Sequence, residues 1–387
     1  MKYGRRGAAA LMLAAVTGVM APFSAWAGSP EFAYSAEKWA TLRDDNLDYD
    51  EIADLIHEYN NTVQQNYLTY MDELDEDRDD TAQDYYDAAN DIYNNITWPD
   101  SDDSNYGSGV ASALQSEQQA DELMKQGDEA VDDTETKKLG YDKTEAELVK
   151  QAQELMITYW SQYYSLESLE DSIEQARISY QTEQNKLAAG TSTQSAVLTA
   201  KNTISTAEAS LLTTQSSIGT TKDSLLLMLG WTYGADVVIG ELPEPDLEAI
   251  NAIDVTADIE TALTTNYTYL QTTKQLANAR SSTVKEKLTQ TVKNQKEAIS
   301  TDVKDKYESL ILALSNYEQA QLSLELADTA VNTAAVQLAA GTITQKTYDS
   351  KLSSQLSAQS TVTSRKLALL TAMVEYDWAV NGLASTS

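Results

Sequence analysis

Apolar residues recur at every seventh position over long stretches of this chain. Ala152, Tyr159, Leu166, Ile173, Tyr180 and Leu187 form one series. Val197, Ile204, Leu211, Ile218 and Leu225 form a second, and Val303, Leu310, Tyr317, Leu324, Val331 and Leu338 a third. A sustained repeat of seven predicts helices wound on one another with a left-handed twist. Other seam positions are often Ala, Thr or Gln, and such small residues suit close packing of many helices better than a leucine zipper would.

Glycine and proline punctuate the pattern. The five prolines are Pro22, Pro30, Pro99, Pro243 and Pro245, and from Asp254 to Ala340 neither residue type occurs. With its Ala, Leu, Gln, Lys and Glu content, that run predicts one helix. Continuous, it would reach about 130 Å at about 1.5 Å per residue. Earlier in the chain the pattern predicts a helical stretch over 36–92 and a polar insertion over 93–142. The insertion is rich in Asp, Ser and Gly and reads as loop. Helices are predicted from Thr144 to Ala189, from Thr193 to Leu229 and from Thr344 to Val380. Between them "GWTYGADVVIGELPEPDL" reads as a linker with a short strand at Val237–Ile239. The domain plan is a first repeat over 28–230, a linker over 231–253 and a second repeat over 254–387.

The two repeats share a phrase. "KLAAGTSTQ", Lys186–Gln194, returns as "QLAAGTITQ", Gln337–Gln345, with seven of nine residues identical and Gly341 following Gly190 by 151 residues. Both copies sit in the same heptad register. Glycine can take a positive φ and reverse the chain after a helix, and the Thr or Ser beyond it can cap the next helix. The phrase therefore predicts two antiparallel helical hairpins with duplicated tips. The small residues of "LAA" at each tip would let another backbone approach closely.

Composition narrows the setting. Residues 1–27 carry Lys2, Arg5 and Arg6, then an apolar run, then Ala25-Trp26-Ala27, the pattern of a secretory signal peptide. There is no cysteine, hence no disulfide framework, no thiolate metal site and no lipid-bearing cysteine. Net charge is −33, and −36 without the three basic residues of the signal, which excludes nucleic acid as a partner. His57 is the single histidine, so histidine triads and multi-histidine metal sites are excluded within one chain.

Two motifs invite a chemical reading and receive a plainer one. "MDELDEDRDD", Met71–Asp80, alternates Asp75, Asp77 and Asp79 like a calcium loop. The loop's sixth position is Asp80 rather than Gly and its twelfth is Tyr86 rather than Glu, so the run reads as a solvated acidic helix face. "YWSQYY", Tyr159–Tyr164, reads as helix-interface packing with hydroxyls reaching polar partners, ahead of a ligand box. No phosphate loop, nucleophile elbow or acid–base pair is present. The chain reads as a non-enzyme without cofactor or metal.

A signal peptide, two similar halves, long helices and a "LAAGT" turn in each half resemble the TolC-like outer-membrane efflux protein family. "EIADLIHEYNNTVQQN", "LLLMLGW" and "ELPEPDL" are further family-like stretches, and the resemblance covers roughly Glu51–Leu383. It implies an all-α fold of antiparallel coiled-coil hairpins, assembled as a homotrimeric α-barrel duct in the cell envelope. It further implies an adaptor (membrane-fusion) protein at the tips and an ABC-type or other inner-membrane pump beyond it. The candidate docking residues are Ala188, Ala189, Gly190, Thr191 and Ser192, with Ala339, Ala340, Gly341, Thr342 and Ile343. One departure stands out. Family members interrupt two long helices with strand hairpins that build a membrane β-barrel. Here "ANARSSTVKEKLTQTVKNQKEAIS", Ala277–Ser300, has no alternating apolar band and 93–142 is polar, so the barrel is expected to be missing or vestigial. The competing reading is a structural or adhesive coiled-coil envelope protein with no lumen.

Overall fold

The computed structural model describes residues 34–74 and 78–387. The expected signal peptide, 1–27, lies outside them. In chain order the elements are α1 (Ala36–Thr41), β1 (Asn46–Leu47), α2 (Ile52–Tyr59), α3 (Asn61–Glu73), α4 (Arg78–Asn95), α5 (Tyr106–Glu129), α6 (Thr134–Ala188) and α7 (Gln194–Met228). Then come β2 (Val238–Ile239), α8 (Leu247–Asn251), α9 (Val255–Thr265), α10 (Tyr267–Asn278), α11 (Ser282–Ala339) and α12 (Gln345–Trp378), closed by a π-turn over Ala379–Leu383. The fold is all-α. Among the described residues the β-structure is one parallel pair, Asn46 beside Val238 and Leu47 beside Ile239.

The heptads become seams. α6 has 55 residues and α11 has 58, so each spans roughly 80–90 Å at about 1.5 Å per residue. α7 packs along α6 and α12 along α11 as antiparallel hairpins. Every apolar position of the three heptad series is buried or half-buried, with Ala152, Ile173, Val197, Leu225, Val303, Leu310, Tyr317 and Val331 fully so. Two main cores lie away from the tips. One joins Leu47, Ile52, Leu55, Ile56, Met156, Leu225 and Leu229 of the first half. The other joins Ile299, Val303, Leu310, Leu369 and Tyr376 of the second. Ile157 of α6 and Leu367, Leu370 and Val374 of α12 bridge them.

Four expectations are corrected. The stretch 36–92 is broken into α1, β1, α2, α3 and α4. The expected loop over 93–142 holds α5 and the first turns of α6, which starts at Thr134 rather than Thr144. Small residues hide this hairpin from an apolar count. Ala82 and Ala89 of α4 face Ala113, Ala120 and Gly127 of α5, all buried and all at heptad spacing. The Tyr86 hydroxyl adds a hydrogen bond to Asp128 at 3.0 Å. The single helix predicted for 254–340 is three helices. Asn266 is extended (φ −61, ψ 113) and caps α10 by accepting from the Tyr269 N–H. Ala279 and Ser281 are extended too. Asparagine and serine end helices by offering the backbone a side-chain partner, so glycine and proline are not required. Finally, Val237 lies outside the strand, which is Val238–Ile239.

The two halves repeat more than the tip. Asn60 breaks α2 from α3 as Asn266 breaks α9 from α10, and each caps the helix that follows. The Asn60 amide donates to the Met228 carbonyl at 2.8 Å, at the end of α7. The Asn266 amide donates to the Ala384 carbonyl at 2.9 Å, just beyond α12. Each break thus locks onto the end of its own half's return helix.

Candidate functional site

The tips are built from the repeated phrase. In the first, the Gly190 N–H donates to the Leu187 carbonyl at 3.0 Å and the Thr191 N–H to Lys186 at 2.8 Å. In the second, Gly341 donates to Leu338 at 2.9 Å and Thr342 to Gln337 at 2.9 Å. Both are Schellman closures, which satisfy the last helix carbonyls through a residue in the left-handed region. Gly190 has φ 74 and Gly341 φ 71, and a Cβ on either would meet nothing within 4 Å. Glycine is needed there for its backbone and not for space.

The threonines divide the work more finely than expected. Thr191 and Thr342 do not cap the next helix. Their hydroxyls donate back to the Lys186 and Gln337 carbonyls at 3.1 and 2.9 Å, tightening the end of the incoming helix. The caps are Thr193 and Thr344, whose oxygens accept from the Ala196 and Thr347 N–H groups, each at 3.2 Å. Both caps belong to the seven matched residues. The phrase therefore encodes an exit closure and an entry cap in nine positions.

Eight of the ten candidate residues are exposed: Ala188, Ala189, Gly190 and Thr191, and Ala339, Ala340, Gly341 and Thr342. Ser192 and Ile343 are half-buried. Within each hairpin the five lie together at one turn. The first tip carries an ion pair, and among the described residues the second carries none. Glu183 accepts from Lys186 Nζ and from the Ser192 hydroxyl, each at 2.6 Å. The Lys186 ammonium, then Ser192, hold its carboxyl below the ordinary range. A groove of about 1060 Å³ runs between the α6–α7 hairpin and α12 near the tips. Its walls carry Ser172, Ser179, Thr199 and Ser357 with Leu352 and Leu356.

The other sequence motifs settle as follows. Asp75 and Asp77 lie outside the described residues, and Asp79 pairs with Arg78 and Arg280. Of "YWSQYY", Trp160 is half-buried and donates Nε1 to the Gly240 carbonyl at 2.8 Å. Tyr163 and Tyr164 are 47% and 46% exposed, stacked on Tyr159 and Trp160 but outside the interface that was expected to hold them. Among the described residues no cluster of acidic or histidine side chains could hold a metal ion. No helix there is long and apolar enough to cross a membrane. Missed altogether were Asn60 and Asn266, whose signal is an Asn-x-Thr in each half, "NNT" and "NYT".

No protein-family model and no curated protein matches the chain. Solved structures do. A membrane protein from Pseudomonas aeruginosa is similar at a TM-score of 0.52 and 12% identity, over 86% of this chain and 93% of that one. CusC, described for its folding and transmembrane channel formation, is similar at 0.51 and 12% identity, over 90% and 95%. At such identity the likeness establishes the fold. It is the TolC-like one, with two long hairpins per chain.

Proposed function

We propose that this TolC-like chain works as a homotrimeric helical conduit of the cell envelope, docking an adaptor at its tips and serving an inner-membrane pump. The observation that carries the reading is an apolar stripe left at each side of the helix layer. Away from the tips Ile157 of α6 meets Leu367, Leu370 and Val374 of α12, while α7 lies along α6 and α12 on α11. Further up, α3 packs on α6, α6 on α10 and α10 on α11. No extended contact joins α11 to α3 or α7. Yet α11 presents Leu312, Leu322, Leu326 and Val336, between 58% and 71% exposed, on the side away from its seam. At the opposite side α7 presents Leu198 and Leu212, and α3 presents Leu68 and Met71. Two different apolar faces at the two ends of a layer fit a head-to-tail contact that closes into a ring. Burying them would help offset the ordering cost of such long helices, whose own cores lie away from the tips.

Adaptor docking at Ala188–Ser192 and Ala339–Ile343 rests on exposure, on small side chains and on duplication. Export rests on the sequence of residues 1–27, and the outer membrane on family resemblance. A barrel-less form is part of the proposal: at the first strand position stands the α4–α5 hairpin, and at the second α10 meets α11 across 279–281. Heat-modifiable gel mobility with a substantial strand signal in circular dichroism would contradict it.

The test of the conduit is sedimentation with electron microscopy of the mature chain. A hollow three-fold particle on the order of 100 Å long is expected, by the helix rise. Because the mature charge of −36 opposes association, assembly should strengthen with salt. A monomer that persists at high concentration and high salt would refute the duct. A solid coiled-coil rod would favour the adhesive alternative.

A further inference from the structure

The groove between the α6–α7 hairpin and α12 opens where a seam gives out. Ile157 of α6 is buried against Leu367, Leu370 and Val374 of α12. Seven residues on, the same side of α6 carries Tyr164, then Asp171, then Ile178. All three are exposed, Tyr164 by 46% and Ile178 by 51%. Beyond that point about 1060 Å³ lies between the helices. The α6 wall runs from Ser168 to Glu183, roughly 22 Å at about 1.5 Å per residue.

This groove accepts more hydrogen bonds than it gives. The hydroxyls of Ser172, Thr199, Thr203 and Ser357 donate to the backbone carbonyls four residues before them, at 2.8, 3.0, 3.2 and 2.9 Å. Their protons are spent, while each oxygen keeps acceptor capacity. Glu183 is already held by Lys186 and Ser192. Asp171 has no hydrogen bond or ion pair among the described residues. No lysine or arginine lines the groove, and the sequence from Gln151 to Ala176 holds none. At the end away from the tips, the Tyr164 ring stacks on Trp160 with centroids 5.3 Å apart and planes at 29°. An exposed ring of this kind attracts a cation to its face. On the α12 wall, Leu352 and Leu356 are 37% and 36% exposed. A ligand that matches these features carries positive charges and N–H donors, with apolar chain between them.

We propose that the groove is a binding site for a linear aliphatic polyamine. One ammonium pairs with Asp171, another sits over the Tyr164 ring, and the methylenes lie along Leu352 and Leu356. The site belongs to one chain and does not rest on the ring assembly. A diffusely acidic surface attracts every cation in proportion to its charge. The aromatic ledge, the free carboxylate and the hydroxyl acceptors select instead for N–H donors on an apolar chain.

The test is calorimetric titration of the full mature chain with spermine, in excess Mg²⁺ to screen the surface charge of −36. One saturable site per chain is expected. Asp171→Asn should weaken binding about fivefold, the upper end for an exposed ion pair. Tyr164→Leu should weaken it about threefold, as for an exposed contact between a cation and a ring. Ser172→Lys, which sets an amine in the groove, should abolish it. Glu260→Gln removes an exposed charge elsewhere and should change nothing. All four positions are exposed, so helicity and melting should hold in every variant. If Mg²⁺ displaces spermine, or Asp171→Asn and Glu260→Gln act equally, the binding is surface charge alone and the inference is overturned. If spermine binds dilute chains and is expelled as rings form, the groove is a contact between copies; the inference is overturned and the conduit stands. If the site survives in a chain that stays monomeric at every salt, the conduit falls and the inference stands.

Discussion

At the tip of α6–α7, Thr191 bonds back to Lys186 and Thr193 caps forward; at the tip of α11–α12, Thr342 bonds back to Gln337 and Thr344 caps forward. At the other end the halves part company. The first half runs from α3 into the α4–α5 hairpin before α6 begins, while the second passes from α10 to α11 across three residues. A tip is a local problem of turn geometry, and one short phrase solves it wherever it is written. The far end is a place where chain can be inserted without disturbing the seams, because the α4–α5 hairpin satisfies itself through Ala82, Ala89, Ala113 and Ala120. The difference teaches that the duplicated unit is the hairpin with its locked break, and the insertion is an addition to it.

The strongest way to break the likeness between halves is at the glycines that close the return helices. A Cβ on Gly230 would lie 2.4 Å from the Tyr59 Cβ and 3.0 Å from its carbonyl oxygen, at φ 93. On Gly382, at φ 122, it would meet the Tyr267 ring edge at 2.6 Å and the Thr265 oxygen at 3.2 Å. A ring edge can turn aside, and a Cβ beside its own backbone cannot. Gly230→Ala is therefore expected to cost about 3 kcal/mol or more in denaturant unfolding and Gly382→Ala about half of that. Equal costs would show that the second half is packed as rigidly as the first.

The Asn breaks come next. Asn60→Ala and Asn266→Ala each remove a cap and a partner for a carbonyl. Each should cost about 2 kcal/mol, from the cap and the lost long-range bond together. Asn266 is 1% exposed and Asn60 7%, so the second loss should be the larger. The tips are milder. Gly190→Val or Gly341→Val meets open space and pays only for φ, about 1–2 kcal/mol apiece by thermal melting. Ala189→Glu with Ala340→Glu should leave the melt unchanged and abolish adaptor capture. Retained capture and export in a folded variant would reduce the phrase to a turn.

The smallest effect belongs to the first half alone. His57 of α2 lies 2.9 Å from Glu145 of α6. The hydrogen bond to Glu145 raises its pKa above 6.5, against the lowering effect of desolvation. The folded value is the higher one. The pair therefore stabilises fully below the unfolded value of about 6.5, and that contribution fades as pH rises through the folded value. His57→Gln should flatten the pH dependence of the melting temperature across that range, and an unaltered profile would assign the dependence to other groups.

Much of this was legible in the chain. The heptads from Ala152 to Leu338 fixed the two hairpins, since a seam of that period has one way to be buried. The repeated phrase placed the tips, because a positive φ after a helix calls for glycine. The breaks at Asn266 and 279–281 were not legible, because capping residues also occur on helix surfaces and only a tertiary partner decides. For Asn266 that partner is the Ala384 carbonyl, 118 residues away. The α4–α5 hairpin was hidden for a related reason. Its seam is alanine and glycine, which carry little apolar signal, and its stability comes from how closely the backbones approach. Local period and local turn chemistry were thus written in the sequence by itself. Where a helix stops against a distant carbonyl, and which faces remain uncovered at the sides of the layer, only the tertiary structure decided, because both depend on groups far apart in the chain meeting in space.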